Sequence, residues 1–200
     1  MKSLEIILAA VAIALLTTSA GGAVYMLDPD HSTISLNATH LGIGTVQGHF
    51  EKFSGTLEFD PTKVSASKVQ VRIDASSIST NHSFRDQHLR SPEFLDVQEY
   101  PEILFESTEV TASDRSEFQI AGNLTLHGVT RPVVLQAKFR GAATDMEGKS
   151  RIAFAASTRI DRKDFGMAWN RIIGGSPLVG QIVEILLDVE GVEQGTEQAK

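Results

Sequence analysis

Residues 117–140, EFQIAGNLTLHGVTRPVVLQAKFR, contain two alternating runs separated by a short turn. Apolar residues or glycine occupy every second position over 118–126, and apolar residues do so again over 133–139. Strict alternation of this kind is typical of a β-strand with one buried face, and a glycine-containing turn at 127–130 is typical of a hairpin. The stretch therefore predicts an all-β fold in which neighbouring strands are antiparallel.

The same alternation recurs on both sides of the hairpin. Further strands are predicted at residues 25–27, 32–38, 46–59, 68–75, 102–105, 151–160 and 181–190. About eight or nine strands of this type suit either a two-sheet sandwich or a closed up-and-down barrel. Long successive strands with one helical interruption favour the barrel. Within 46–59, Phe50 and Phe53 are out of phase, which predicts a bulge near Glu51 and Lys52.

The residues on the inward faces are Val, Ile, Leu, Ala, Gly and Phe, without charges. The interior of an eight-stranded barrel is either filled by side chains or wide enough for one small ligand. A cavity with this lining would accept a hydrocarbon rather than a sugar or a nucleotide. A solidly filled barrel that serves as a protein-interaction module is the alternative, and composition leaves it open.

The alternation stops at residues 80–101, TNHSFRDQHLRSPEFLDVQEYP, where helix-start residues occur twice. Asn81 is the predicted N-cap of a short helix that ends at Arg90, and Ser91 followed by Pro92 predicts a second short helix. A helical interruption of about twenty residues among strands is typical of a lid, a plug or an edge cover. An ordinary surface crossover is the alternative.

The N-terminus has the pattern of a secretory signal peptide. Lys2 precedes an unbroken apolar run over residues 6–16, and small residues follow. This run is too short to span a bilayer, which needs about twenty residues. We predict cleavage between Ala20 and Ala23. An uncleaved anchor is the alternative, because Glu5 is untypical of the basic start of a signal peptide.

The predicted organisation is a signal peptide at 1–22, one β-domain at 23–192 and a polar tail at 193–200. A chain of 200 residues with 42% hydrophobic content suits a single domain. Since the sequence contains no cysteine, an exported domain would be held by its core without disulfides. This combination favours a bacterial periplasm over a eukaryotic extracellular setting.

Charge and motif spacing exclude several classes of function. The formal net charge of −7 gives no attraction to nucleic acid or to an anionic membrane surface. The histidines lack chelating spacing, since His82 and His88 would lie about 240° apart around a helix. Without a cysteine or a GxSxG elbow, nucleophilic catalysis has no support. We predict no metal, no cofactor and no catalytic residues.

Residues 159–171, RIDRKDFGMAWNR, are basic within an acidic chain. Phe165, Met167 and Trp169 alternate in this stretch, and its basic residues are Arg159, Arg162, Lys163 and Arg171. An apolar strip beside basic residues suits an amphiphile, with its hydrocarbon against the aromatic rings and an anionic head near the guanidinium groups. A solvated turn followed by a core-packing strand is the alternative.

Five motifs follow one another along the chain. They are HSTISLNATHLGIGTVQGHFEKFSGTLEFD from residue 31, TNHSFRDQHLRSPEFLDVQEYPEILFES from residue 80, GNLTLHGVTRPVVL from residue 122, DFG at 164–166 and VEILLDVEGV from residue 183. In this order they closely resemble the YceI-like family of periplasmic polyisoprenoid-binding proteins. The resemblance covers about residues 24–192.

The resemblance implies an extended antiparallel eight-stranded β-barrel of lipocalin-like architecture, with short helices in the 80–100 segment. It also implies an elongated apolar channel that holds a long-chain isoprenoid or a similar amphiphilic lipid. The implied roles are storage, transport or sequestration of such a lipid in the periplasm, isoprenoid quinones included. The family implies no catalytic mechanism, so the lipid is a ligand rather than a cofactor.

The family supplies no compact catalytic set, so the candidate site is predicted from this sequence. Phe94 and Leu95 would close one end of the barrel. The predicted wall or mouth of the channel consists of Phe105, Leu124, Phe154, Phe165, Met167, Trp169 and Ile185. The candidates for contact with a polar head group are His40, Arg85, His88 and Arg171.

An enzyme remains the alternative to a carrier. A hydrolase or isomerase acting on a lipid in the same channel would need a polar residue with a shifted pKa that faces the ligand. The predicted partners are an isoprenoid lipid or another long-chain amphiphile and, in transient contact, a membrane or a membrane protein. A homodimer is a further prediction, and nucleic acid is excluded.

Overall fold

The computed structural model describes residues 22–114 and 116–194. Its strands are, in chain order, β1 (Ala23–Leu27), β2 (Thr33–His40), β3 (Gly44–Phe50), β4 (Phe53–Phe59), β5 (Lys68–Asp74), β6 (Ile78–Ser79), β7 (Glu102–Ala112), β8 (Glu117–Leu126), β9 (Val129–Thr144), β10 (Ser150–Asp161), β11 (Ile172–Ile173), β12 (Ser176–Pro177) and β13 (Val179–Glu193). The helix α1 spans Ser83–Leu89, and short 3₁₀-helices lie at Pro29–His31, Val64–Ala66, Ala75–Ser77 and Arg162–Phe165.

The predicted signal peptide and the end of the predicted tail, residues 1–21 and 195–200, lie outside the described residues. They stay predictions. Within the described ranges, no helix is long and apolar enough to cross a bilayer.

The strands form one closed antiparallel barrel with eight strand positions. Three positions hold two successive strands each, namely β1 with β2, β3 with β4 and β5 with β6. The other positions are held by β7, β8, β9, β10 and β13, and neighbours pair in up-and-down order. The barrel closes because residues 179–188 of β13 pair with β2 and residues 191–193 pair with β1. The predicted barrel is therefore confirmed, and the sandwich is excluded.

The predicted single strand at 46–59 is wrong, because the chain breaks at Glu51 and Lys52. Phe50 and Phe53 are both buried. In an unbroken strand, residues three positions apart point to opposite faces, so the chain must leave the ladder to bury both rings. The break lies beside that between β5 and β6, since the Glu51 amide donates to the Ser77 carbonyl at 3.1 Å.

Two clusters of buried side chains lie toward opposite ends of the barrel. The lid end carries the connections at 40–44, 80–101, 127–128 and 162–178, and its cluster includes Ile34, Phe50, Ile78, Leu95, Phe165 and Met167. The hairpin end carries the turns at 60–67, 113–116 and 145–149, and its cluster includes Leu57, Phe59, Phe118, Ile152 and Phe154. The Phe59 ring lies edge-on to the Phe154 ring at 5.1 Å.

The lid segment, residues 80–101, connects β6 to β7 across the lid end. The predicted N-cap at Asn81 is wrong, because Asn81 has a φ of 59° and forms the turn that precedes the helix. His82 is the N-cap, and its Nδ1 accepts a hydrogen bond from the Arg85 amide at 3.4 Å. The Asp86 carboxylate accepts bonds from the Thr80 amide and hydroxyl at 2.9 and 2.5 Å, which fastens α1 to the chain leaving β6.

The predicted second helix at Ser91 is also wrong, because residues 91–99 form consecutive hydrogen-bonded turns. The Leu95 amide reaches back to the Leu89 carbonyl at 3.0 Å, and Asp96 has a φ of 44°, outside the right-handed helical region. These turns bury the adjacent Phe94 and Leu95 together, at 6% and 9% exposure. Consecutive residues of a helix point about 100° apart, so a helix would not present both to the barrel.

Candidate functional site

An apolar cavity of ≈ 250 Å³ occupies the barrel interior. Every strand position contributes to its lining. This volume lies near the lower end of the ~300–1,000 Å³ range of small-molecule sites. The filled-barrel alternative requires an interior that side chains pack solid, and this cavity contradicts it.

The cavity is elongated along the barrel axis. Along β10 and into the 3₁₀-helix that follows it, the lining runs from Phe154 toward the hairpin end to Arg162 at the lid end. Eight residue steps of ~3.4 Å along a strand tilted by about 40° correspond to roughly 20 Å along the axis. With carbon–carbon bonds of ~1.5 Å, this length suits a chain of more than about ten carbons. We call this cavity the channel.

The channel gathers most of the predicted apolar site residues. The predicted residues in its lining are Phe94, Leu95, Phe105, Leu124, Phe154, Met167 and Ile185. They come from the lid segment, from β7, β8, β10 and β13, and from the loop after β10. Their contact with a ligand stays a prediction.

Phe165 lies beside the channel and is not part of the lining that the structure describes. Its side chain is 2% exposed and packs into the cluster of the lid end. Its carbonyl oxygen lies 3.0 Å from His127 Nδ1 in the turn between β8 and β9. Phe165 therefore holds the loop after β10 against the barrel.

Three predicted residues meet in an aromatic cluster at the lid end. The His88 ring lies edge-on to both Phe94 and Trp169, with ring centroids 4.9 and 4.7 Å apart. The Phe94 and Trp169 rings lie 5.3 Å apart. His88 Nε2 also lies 2.5 Å from a carboxylate oxygen of Glu93. The cluster joins the lid segment to the loop after β10, and Phe94 alone among its members lines the channel.

The four head-group candidates are not brought together by the fold. Arg85 donates through Nε and Nη2 to the Thr80 hydroxyl and carbonyl at 2.7 and 2.8 Å. His88 belongs to the aromatic cluster, and His40 and Arg171 are exposed. None of the four belongs to the channel lining within the described residues. Their contact with a head group stays a prediction.

Arg162 is the polar residue that the sequence-based site omitted. It is 2% exposed and is the only charged residue in the described channel lining. Its Nε donates to the Gly180 carbonyl at 3.0 Å, and its Nη1 donates to the Met167 carbonyl. Removal from water lowers the pKa of this guanidinium, and the charge of Asp161 opposes that shift only in part.

The remaining polar side chains of the channel are hydroxyls. Ser35, Ser67 and Thr158 complete the described lining, which contains no histidine and no carboxylate. Outside the channel, the described residues form no cluster of three His, Asp or Glu side chains that could hold a metal ion.

These features define an eight-stranded barrel with a closed lid end and an apolar channel, the architecture of a protein that binds a hydrophobic ligand inside a barrel. The family model of the YceI-like domain matches residues 25–191. The protein YceI of Salmonella arizonae is 42% identical over 180 residues, which cover 89% of this chain and 91% of that protein. The chain belongs to the YceI-like family.

Solved structures share the fold. BcnA of Burkholderia cenocepacia has a TM-score of 0.74 at 21% identity, over 82% of this chain and 98% of that chain. A polyisoprenoid-binding domain from Saccharophagus degradans has a TM-score of 0.66 at 14% identity, over 85% of this chain and 98% of that chain. The family match and the structural matches therefore agree that this chain is a YceI-like β-barrel.

Proposed function

We propose that the protein carries a long-chain isoprenoid or a similar amphiphilic lipid in the periplasm. The observation that carries this proposal is the channel, whose described lining is apolar apart from three hydroxyls and one guanidinium. Such a surface cannot replace the hydrogen bonds that a sugar or a nucleotide makes with water, so it selects hydrocarbon.

The length of the chain would supply most of the affinity. Burial of hydrocarbon contributes about 0.8 kcal/mol per methylene, so a chain of about ten carbons gains about 8 kcal/mol before the entropic cost of binding. A ligand could therefore be held without an ion pair, and polar residues would set its orientation.

An isoprenoid is the favoured chain class because of the structural relative from Saccharophagus degradans, which is described as a polyisoprenoid-binding domain. The branched, bulky lining residues also suit a methyl-branched chain. Isoprenoid quinones and other prenyl lipids share this tail chemistry, so the tail defines the class of ligand and the head group distinguishes its members.

The periplasmic setting rests on the signal-peptide pattern of residues 1–22. Transient contact with a membrane is supported by exposed apolar residues at the lid end, among them Ile43 and Ile172. The homodimer stays a prediction. An enzyme acting on the lipid is disfavoured, because the described channel lining offers hydroxyls but no general base to activate them.

The test is native mass spectrometry of the protein purified from the periplasmic fraction, followed by solvent extraction of any bound lipid. We expect a hydrophobic ligand to co-purify and its mass to match a prenyl lipid. Absence of a co-purified ligand, together with failure to bind an added polyprenol, would contradict the carrier function. The N-terminal residue of the exported protein, read from the same spectrum, checks the predicted cleavage.

A further inference from the structure

Arg162 is held rigidly at the lid end by the chain that follows it. Gly166 has a φ of 81°, which turns the backbone after the 3₁₀-helix so that Met167 returns to Arg162. The Met167 amide donates to the Arg162 carbonyl at 3.2 Å, and the Met167 carbonyl accepts from Arg162 Nη1. With the bond from Nε to Gly180, two of the three guanidinium nitrogens are fixed by backbone carbonyls. The orientation of the side chain is therefore set before any ligand arrives.

The third guanidinium nitrogen, Nη2, is not held by the backbone carbonyls that fix the other two. Nη2 of Arg162 is buried without a hydrogen bond to any residue that the structure describes. The guanidinium also forms no ion pair within the described residues. The neighbouring Asp161 is engaged elsewhere, by the Lys163 amide and by the Gln181 side chain.

A buried cation without a counter-ion is unfavourable, and natural proteins pair such charges or bind ligands with them. Guanidinium groups match the oxygens of carboxylates and phosphates in geometry as well as in charge. Arg162 lies at one end of an otherwise apolar channel, where the head of an extended amphiphile would be placed.

We infer that Arg162 anchors an anionic head group, a carboxylate or a phosphate, on the chain that occupies the channel. This inference rests on the proposed carrier function and specifies its ligand as an anionic amphiphile whose head lies at the lid end. The tail then extends toward the rings of Phe59, Phe118 and Phe154 in the channel lining at the hairpin end.

The chain also offers a matched control at the opposite end. Ser67 lines the channel near the hairpin end, and its hydroxyl is likewise buried without a hydrogen-bond partner among the described residues. A hydroxyl is neutral and can donate or accept, so it does not select for an anion. The two positions therefore distinguish a charged anchor at the lid end from a polar head at the hairpin end.

The experiment compares probes that share a tail and differ in their head. Farnesyl phosphate is paired with farnesol, and palmitate with 1-hexadecanol. Binding is measured by the fluorescence of the single tryptophan, Trp169, in the wild type and in the Arg162→Met, Arg162→Lys and Ser67→Ala variants. We expect the wild type to bind each anion about tenfold to a hundredfold more tightly than its alcohol. Arg162→Met should bring the ratio of anion affinity to alcohol affinity to about one without weakening the binding of the alcohol. Arg162→Lys should retain part of the preference for the anion, and Ser67→Ala should leave the ratio unchanged.

Preference for an anion in only one pair would identify the source of the head group as an isoprenoid phosphate or a fatty acid. Equal binding of anion and alcohol by the wild type would overturn the inference, as would an unchanged ratio in Arg162→Met or its loss in Ser67→Ala. If none of the four probes binds, the carrier function itself fails.

A second measurement needs no variant and covers the case in which Arg162→Met does not fold. Palmitate with a nitroxide next to its carboxylate should broaden the amide resonance of Met167 in the wild type. Broadening of Phe118 instead would place the head at the hairpin end and contradict the inference.

Discussion

Phe94 is the residue at which the lid segment, the channel and the loop after β10 meet. It lines the channel from the lid segment and contacts both His88 and Trp169. We expect Phe94→Ala to open the lid end, so that a bound lipid dissociates at least about tenfold faster, and to lower the free energy of unfolding by about 3 kcal/mol. The release of a fluorescent lipid and chemical denaturation measure the two effects.

Phe84 is the matched control for Phe94. It lies on α1 in the same segment but is 79% exposed. Truncation of an exposed side chain usually changes stability by no more than about 0.5 kcal/mol, so Phe84→Ala should leave both stability and lipid release near wild type. Release at the wild-type rate from a folded Phe94→Ala variant would show that the lid segment does not close the channel.

The residues of the channel wall were predictable because their environment follows from a period of two. Leu124 on β8 and Ile185 on β13 lie on the apolar face of a regular strand, so alternation alone assigns them to the interior. Arg162 was not predictable in this way. It stands among basic residues that are mostly exposed, and only the return of Met167 and the approach of Gly180 place it in the channel. Neither contact leaves a signal in local sequence spacing.

At the scale of the element, Asp86 controls the attachment of the lid segment. Burial has the largest single influence on the pKa of Asp86 and acts to raise this pKa. The hydrogen bonds from the Thr80 hydroxyl and amide, with smaller contributions from His82 and Arg90, together outweigh burial, so the pKa is lowered. A carboxylate with a lowered pKa in the folded state stabilises the fold above its unfolded pKa of about 4, and this contribution is lost as the pH falls through the folded value.

We expect Asp86→Asn to lower the free energy of unfolding at pH 7 by about 2 kcal/mol, because charged hydrogen bonds to Thr80 are weakened. Below about pH 4 the difference from wild type should shrink, since Asp86 takes up a proton there in the unfolded state, and in the folded state only at still lower pH. Urea denaturation across this pH range is the measurement. Asp60→Asn is the control, because it weakens a similar pair of bonds, from the Thr62 amide and hydroxyl, in an exposed turn far from the lid. A stability difference for Asp86→Asn that stays constant into acid would rule out this role of the carboxylate.

The elements that the sequence assigned correctly are the strands in which apolar and polar residues alternate regularly. The β8–β9 hairpin and the strands after it lie where the pattern predicted them, although the register shifts between Ala153 and Phe154 and between Val179 and Val183. The irregularity at Glu51 and Lys52 was located correctly but predicted as a bulge within one strand, and the turns after Ser91 were missed, because both features depend on tertiary partners. The chain leaves β3 to pair with a different strand, and the turns form so that Phe94 and Leu95 can both enter the barrel end.

For the molecule as a whole, the lid end combines the closure of the channel with exposed apolar side chains. Ile43 is 93% exposed in the connection after β2, and Ile172 is 66% exposed in the hairpin of β11 and β12. The two connections are tied together, because the Leu41 amide donates to the Leu178 carbonyl at 3.2 Å and the Leu178 amide donates to the Arg171 carbonyl at 2.7 Å. Exposed apolar side chains at this end suit the proposed transient contact with a membrane.

We expect the double variant Ile172→Ser and Ile173→Ser to transfer lipid to neutral phosphatidylcholine vesicles about thirtyfold more slowly, because each isoleucine would add roughly 1 kcal/mol of burial at the membrane surface. Equilibrium affinity for a soluble short-chain ligand should not change, since neither side chain belongs to the described channel lining. Stopped-flow transfer of a fluorescent prenyl lipid measures the rate. Met146→Ser is the control, because Met146 is fully exposed at the hairpin end. If Met146→Ser slows transfer as much as the double variant does, the lid end is not the membrane-facing surface.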